Sequence, residues 1–425
     1  MLKHLDGGRV MINKILKWIS LSGLSLQAVL VADVPDIQLV ETIPVEVNLT
    51  LSDGVLDTKV VWLDMIRNAN KSIDISQFYM LNKDNESLEA VVQELEKAAK
   101  RGVKIRLLAD SLIGADELAK PLIARLQQIQ GLTYRPIDYM QITDGVMHAK
   151  YWVIDEQIVF VGSADFAWQA LEHIYETGLL INNAAVAKQF EQIFEMDWAL
   201  AVNPHPVASS TTSSVGTAPS VVTTQKTQDA AVAKQNEKIE VVASPPTLLP
   251  KDVQSNEGAV LGMIRAAKNT IRIIAHNYTP IEQFTGGVIH PQYWPAIDDA
   301  LREAALIHNV KVELMVSDAN VKSPLNLACL KSLAAIPGIT IKVVTIPPSS
   351  KGPIQFGRFM DGRFMTIDGI ALWLGTSQWT ESHFKNSRNV DVIVRDPVVT
   401  READASFNEL WKSQYAKNVL EVKPA

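Results

Sequence analysis

The sequence predicts an α/β protein built from two similar halves. Three observations predict it. Strand-like and helix-like segments alternate along the chain. The pattern runs twice, with three matched segments in the same order. A stretch rich in Ser, Thr, Ala, Val and Gln (207–238) separates the two runs.

In the first half, residues 59–70 carry helical spacing, and KSIDISQFYM (71–80) is strand-like. Residues 87–100 read as an amphipathic helix, and VKIRLLAD (103–110) as a strand. KYWVIDEQIVFVG (150–162) reads as two strands around a turn at Asp155-Glu156, and 184–201 as a closing helix. The second half repeats this. MIRNANKSIDI (65–75) matches MIRAAKNTIRI (263–273), and EKAAKRGVKIRLLAD (96–110) matches REAALIHNVKVELMVSD (302–318). HAKYWVIDEQIVFVGSADFAW (148–168) matches DGRFMTIDGIALWLGTSQW (361–379). The boundaries expected are a signal peptide over 1–32, a first half over 33–204, a flexible insert and packing linker over 205–250, and a second half over 251–425. The apolar IEVVASPPTLLP (239–250) is expected to pack onto the body from the linker.

Hydrophobic content of 47% and charged content of 20% in 425 residues are ordinary globular values. A net charge of −7 argues against wide electrostatic coverage of nucleic acid but leaves room for a narrow basic pocket. Cys329 is the only cysteine, which excludes an intrachain disulfide and a multi-cysteine zinc site. Lys14 and Lys17 precede the apolar run 18–32, and Asp33 follows small Ala32, the order of an export signal. An uncleaved anchor is the alternative, and Met11 is a second candidate start. Either way the body is expected outside the cytosol: periplasmic or secreted, or lumenal in a eukaryote.

The chemistry concentrates in the longest match. His148 and Lys150 lie two apart, and so on one face of a strand. Asp155 follows His148 by seven residues and Gly162-Ser163 by fourteen. A nucleophile beside a cation suits phosphoryl transfer, which needs attack, neutralisation of the non-bridging oxygens and a proton for the leaving group. Histidine attacks or transfers protons near neutrality. Ser163 offers a hydroxyl to phosphate, and Glu176 is placed to orient the imidazole. Singly, each residue reads as an idle surface or turn residue. The second copy changes the odds, because Asp361, Arg363, Asp368 and Gly375-Thr376-Ser377 keep the spacing.

These motifs resemble the phospholipase D superfamily, whose members carry H-x-K-x(4)-D followed by G-S or G-T-S, usually twice. LVETIP (39–44), HAKYWVID (148–155), GSADFAW (162–168), NYTP (277–280), YWPAIDDALREA (293–304) and GTSQW (375–379) look like the branch of lysosomal 5′ exonucleases and related poxvirus proteins, with SPPTLLP (244–250) a weaker likeness. The resemblance implies two α/β halves about a pseudo-twofold, sharing one cleft. Each half would supply one His and one Lys. One His becomes a covalent phosphohistidine and the other protonates the leaving group, with no metal or cofactor. By position, His148, Lys150 and Asp155 match fully, Arg363 replaces the second Lys, and Asp361 replaces the second His. Asp165 and Gln378 stand where the family often has Asn.

Arg363 keeps the charge in a planar fork. Asp361 is the sharper departure: at neutral pH an aspartate is an anion that repels a phosphodiester and has no proton to give. It could even pair with both cations in place of phosphate. Three readings stay open. His148 attacks and Asp361 is a weak or acid-favoured proton donor; or another histidine takes over, with His276 the best candidate and His383 a weaker one; or the protein binds a phosphodiester without cleaving it. A homodimer joining two copies of His148 is a variant of the first. The catalytic set is therefore His148, Lys150, Asp155, Glu176, Asp361 and Arg363, and the binding set Ser163, Asp165, Thr376, Ser377, Gln378 and His276. The partner expected is a phosphodiester, either a short single-stranded nucleic acid or a phospholipid headgroup. Tyr79, Trp152, Tyr278 and Trp379 are candidates for stacking bases.

Overall fold

The computed structural model describes residues 36–204 and 238–423, apart from 115 and 286. The leader expected over 1–32 and most of the insert lie outside the described residues. The first-half strands are β1 (Ile37–Thr42), β2 (Leu56–Asp57), β3 (Ser72–Gln77), β4 (Met80–Leu81), β5 (Lys104–Asp110), β6 (Leu132–Ile137), β7 (Tyr151–Ile154), β8 (Ile158–Gly162), β9 (Phe166–Ala167) and β10 (Glu176–Asn182). The second-half strands are β11 (Ile239–Ser244), β12 (Gln254–Ser255), β13 (Thr270–Ala275), β14 (Glu282–Thr285), β15 (Val288–Pro291), β16 (Lys311–Ser317), β17 (Ile339–Val344), β18 (Phe364–Ile367), β19 (Ala371–Gly375), β20 (Asn389–Val394) and β21 (Ala416–Asn418).

One sheet runs β2-β1-β10-β8-β7-β3-β5-β6 and the other β12-β11-β20-β19-β18-β13-β16-β17-β21. Strand for strand the second repeats the first, with β21 added at its edge. The pairing sense repeats too: β3 with β5 and β13 with β16 are parallel, while β3 with β7 and β13 with β18 are antiparallel. The two-half α/β architecture is as the sequence predicts, with one correction. Ile239–Ser244, assigned from sequence to the linker ending at 250, is β11, and it pairs antiparallel with β20 as β1 pairs with β10. The second repeat thus begins at 239.

Apolar residues from the inner faces of both sheets form one central layer. The helices Ala184–Leu200 and Pro397–Lys412 lie in it. Each closes its own half and also touches the far half, at β11 and β1 respectively. Separate clusters cover the outer faces beneath Thr58–Asn68 and Ser87–Lys100, and beneath Asn256–Ala266 and Ala296–Leu306. Among the described residues no helix is long and apolar enough to cross a membrane.

Two local devices recur in both halves. The β7–β8 hairpin turns at Asp155 and Glu156, both left-handed with φ of 53° and 58°. The Asp155 carboxylate accepts from the backbone N–H groups of Asn70, Lys71 and Ser72 at 2.7–2.9 Å. Asp368 does the same for Lys268, Asn269 and Thr270. At the other end of the hairpin, a Cβ on Gly162 would stand 2.5 Å from the Thr177 carbonyl oxygen, so only glycine admits so close a neighbouring strand.

Short backbone bridges join the halves beside the motifs. The His148 N–H donates to the Arg388 carbonyl, and the Arg388 N–H to that of Val146, both at 2.9 Å. In the symmetric place the Tyr175 N–H donates to Phe359 O at 3.0 Å and the Asp361 N–H to Tyr175 O at 2.8 Å. The fully buried Arg388 guanidinium locks the first bridge. It donates to Asp197 at 2.9–3.1 Å, to Tyr139 Oη at 2.8 Å and to the carbonyls of Ser244 and Leu248. Removing Asp197 leaves that cation buried with its main counter-charge gone. Asp197→Ala is expected to lower unfolding stability by about 3–5 kcal/mol. Chemical denaturation checks it, and a loss below about 1 kcal/mol, the range of an exposed pair, would contradict the lock.

Candidate active site

The two backbone bridges bring the motifs of both halves to one place. His148 is buried, and its Nδ1 lies 2.9 Å from the Thr376 carbonyl oxygen and 3.0 Å from Asn389 Oδ1. Both partners are acceptors, so Nδ1 carries the proton and Nε2 keeps its lone pair. The Thr376 carbonyl also accepts from Arg363 Nη1 at 3.3 Å, which sets the second cation close to the imidazole. Lys150 shares the face of His148, as the strand period requires: its Nζ donates to the His148 carbonyl at 3.0 Å. Lys150 also sits 3.4 Å from Asp165 Oδ1 and 5.0 Å from the centre of the Phe78 ring.

The second half contributes Asp361, whose Oδ1 accepts from Arg363 Nη2 at 2.5 Å. His276 Nδ1 is 3.6 Å from the same oxygen and 2.8 Å from the Met360 carbonyl. The His383 ring stands edge-on to His148 with centroids 4.5 Å apart. Beside it opens a recess of about 240 Å³ lined by Val146, Asn277, Thr279 and Thr380.

Burial sets the charge states. It pushes the His148 imidazole well below the ordinary histidine range, helped by Lys150, His383 and Arg363. It pushes His383 down to about 3, helped by Arg363 and Lys150. Lys150 falls to about 8 through burial, with Asp165 opposing the fall. Asp165 is raised by burial against the pull of Lys150. Glu176 is raised well above the carboxylate range by burial and then by Asp361. The site therefore holds a neutral, nucleophilic imidazole between two cations, each paired with an aspartate.

Residues 50–346 match the family described as PLD3/4, PLD-like domain. The chain belongs to the phospholipase D superfamily. This is a family of phosphodiesterases. The chain is 30% identical to the 5'-3' exonuclease PLD3 of Bos taurus over 90% of its own length and 80% of that protein's. It is 28% identical to the virion nicking-joining enzyme of Vaccinia virus (strain Copenhagen), over 90% and 89% of the two chains. Among solved structures, the phosphatidylserine synthase of Haemophilus influenzae shares the fold. It has a TM-score of 0.57, 12% identity and 86% coverage of both chains.

Within this phospholipase D frame, several expected residues take other roles. Asp155 lies outside the site, at the far end of the hairpin, where it ties the turn to the start of β3. Seven extended residues separate it from His148, a span of roughly 23 Å. Glu176 does not orient the His148 imidazole. Asn389, at the position of Glu176 in the second repeat, does so instead. The halves cross over: each reaches the motif of the other, so Glu176 faces Asp361. Ser163 spends its hydroxyl on Glu176, at 2.5 Å. Ser377 donates to Asp391 and accepts from Asn256, and is buried. Thr376 bonds the imidazole through its carbonyl and Asn389 through its hydroxyl. Gln378 accepts from the Asn277 N–H, as Asp165 accepts from that of Tyr79. Of the stacking candidates, Trp152, Tyr278 and Trp379 are core residues, and only Tyr79 stays partly open.

Sequence reasoning missed Asn389 and Phe78 and undervalued His383. Asn389 follows Glu176 by the same offset that separates Asp361 from His148, so extending the repeat alignment would have found it.

Two outcomes follow. Asp155→Ala is expected to cost about 1–3 kcal/mol of stability by leaving backbone donors unmatched, while hydrolysis at a permissive temperature stays within about twofold of wild type. Thermal denaturation and assay of one preparation check this. Because the folded environment depresses the His148 imidazole, its lone pair survives as pH falls through 6.5. The acid limb of kcat/KM should therefore lie well below that value. A limb at the ordinary histidine position would contradict the buried setting.

Proposed function

We propose that this protein is a phosphodiesterase acting on the ends of single-stranded nucleic acid through His148. One observation carries the reading: a neutral imidazole, fixed by its Nδ1 proton and with Nε2 unoccupied, lies between the buried cations Lys150 and Arg363. The phosphodiester takes the place of the Asp165 and Asp361 carboxylates at Lys150 and Arg363. His148 Nε2 attacks phosphorus, the bond to the leaving oxygen breaks, and a phosphohistidine forms. Water then attacks phosphorus and releases His148. The two cations neutralise the non-bridging oxygens throughout.

Two features favour a nucleic-acid end over a lipid headgroup. Relatives along nearly the whole chain include a protein named as a 5'-3' exonuclease. Beside Asp165, the Tyr79 ring meets Phe356 at 5.7 Å, and Phe356 is 54% exposed on a left-handed backbone (φ 55°). An exposed aromatic next to a phosphate site is a platform for one base. A second reading, a binder without turnover, is favoured by the Asp361–Arg363 pair, which occupies a cation that substrate must use.

Hydrolysis of a short single-stranded oligonucleotide, measured beside phospholipid vesicles, separates these. The wild type is expected to degrade the oligonucleotide and spare the vesicles. His148→Ala should lose at least about 1000-fold. Phe356→Ala should raise KM for the oligonucleotide about 5- to 100-fold, with kcat little changed, the scale of one lost stacking contact. Tight binding with no wild-type turnover at any pH would favour the binder.

A further inference from the structure

The second motif has no imidazole at position 361, but it has one beside it. β13 repeats β3 in register, so His276, just after Ala275, occupies the place of Phe78, just after Gln77. Phe78 packs against His148 with ring centroids 5.0 Å apart. His276 stands correspondingly against Asp361, at 3.6 Å. One half pairs a phenyl ring with a motif histidine, and the other pairs a histidine with a motif aspartate. The imidazole has moved one side chain over within the same pocket.

Its orientation is determined. A carbonyl can only accept, so the 2.8 Å contact with Met360 O places a proton on Nδ1. Nε2 is left as the exchangeable nitrogen, a donor in the imidazolium and an acceptor in the neutral ring. Phe359 packs on it at 5.1 Å, and Asn320 fixes its carbonyl at 2.5 Å. The charged groups facing it are Asp361, with Arg363 bound to that carboxylate, and His383, whose imidazole is pushed down in part by His276. The side chain keeps 17% exposure.

We propose that His276, positioned by Met360 and Asp361, is the catalytic acid and base of the reaction begun by His148. The proposal rests on the phosphodiesterase reading above. In the first step the Nε2 lone pair of His148 forms the N–P bond. The P–O bond to the leaving group breaks, its electron pair stays on oxygen, and His276 Nε2 supplies the proton. In the second step neutral His276 takes a proton from water. The water oxygen bonds to phosphorus, and the N–P electron pair returns to His148. His383 does not fit this role. It lies against the nucleophile itself, whereas in-line displacement puts the leaving oxygen on the opposite side of phosphorus. Its imidazole is also held neutral far into acid.

The test compares two esters on the full-length protein: a single-stranded oligonucleotide, whose alkoxide leaving group needs a proton, and a thymidine p-nitrophenyl phosphodiester, whose phenolate leaves without one. His276→Gln is expected to slow the oligonucleotide about 100- to 10 000-fold and to abolish the basic limb of its pH profile. Release of the first equivalent of p-nitrophenol from the phenyl ester should change less than about tenfold. The double variant His276→Phe with Asp361→His rebuilds the arrangement of the first half and should recover activity on the oligonucleotide. Equal losses on both esters, no loss on either, or a double variant no better than His276→Gln would overturn the assignment while leaving His148 as nucleophile. A wild type inactive on both esters, or one unaffected by His148→Ala, would overturn the parent reading, and this one with it.

Discussion

The arrangement depends on two backbone bridges that cross between the halves. One pairs Met147 with Arg388 and the other pairs Tyr175 with Met360. Each sits one residue before a motif position, so each aims a motif residue, His148 or Asp361, into the cleft. Neither bridge is strong alone, since a backbone hydrogen bond contributes about 1 kcal/mol net. They hold because the surrounding layer is apolar and closely packed, and because the Arg388 guanidinium is saturated by Asp197, Tyr139 and two carbonyls. The cross-over of partners follows: once the halves are joined there, Asn389 can reach only the first motif, and Glu176 only the second.

A second constraint is electrostatic. Lys150 and Arg363 are almost wholly buried, and an unpaired buried cation is costly. Without substrate the site must supply its own anions, and Asp165 and Asp361 do so. The two buried cations give a chain of net charge −7 a local place for an anionic ligand. The same burial raises Glu176 well above the carboxylate range, helped by Asp361 beside it.

Much of this was legible in the linear chain because it was written twice. The hairpin at 150–162, its turn aspartate and the His-x-Lys spacing all recur at a fixed offset, and that recurrence carried the fold, the family and the pairing of His148 with Lys150. Three things were not legible, each for a physical reason. β11 follows a Ser/Thr-rich stretch, and its strand character shows only in its pairing with β20, about 150 residues away. The exchange of Asn389 for Glu176 at His148 depends on how two sheets cross, which spacing along one strand does not encode. Asp155 belongs to the motif, yet it serves the hairpin turn: seven residues of extended chain separate two positions that a motif pattern prints side by side. His276 was visible as a histidine at a strand end, but its relation to Asp361 required the second sheet in place.

The central claim is that His148, held by Asn389 and Thr376, forms a covalent bond to phosphorus. The most direct test is rapid acid-free quenching during turnover of a single-stranded oligonucleotide, followed by mass spectrometry of the protein's peptides under alkaline conditions. The account expects one phosphoryl or nucleotidyl adduct, on the peptide containing His148, labile to acid and absent from His148→Ala. An adduct on His276 or His383, or full turnover with no adduct on any histidine, would contradict it.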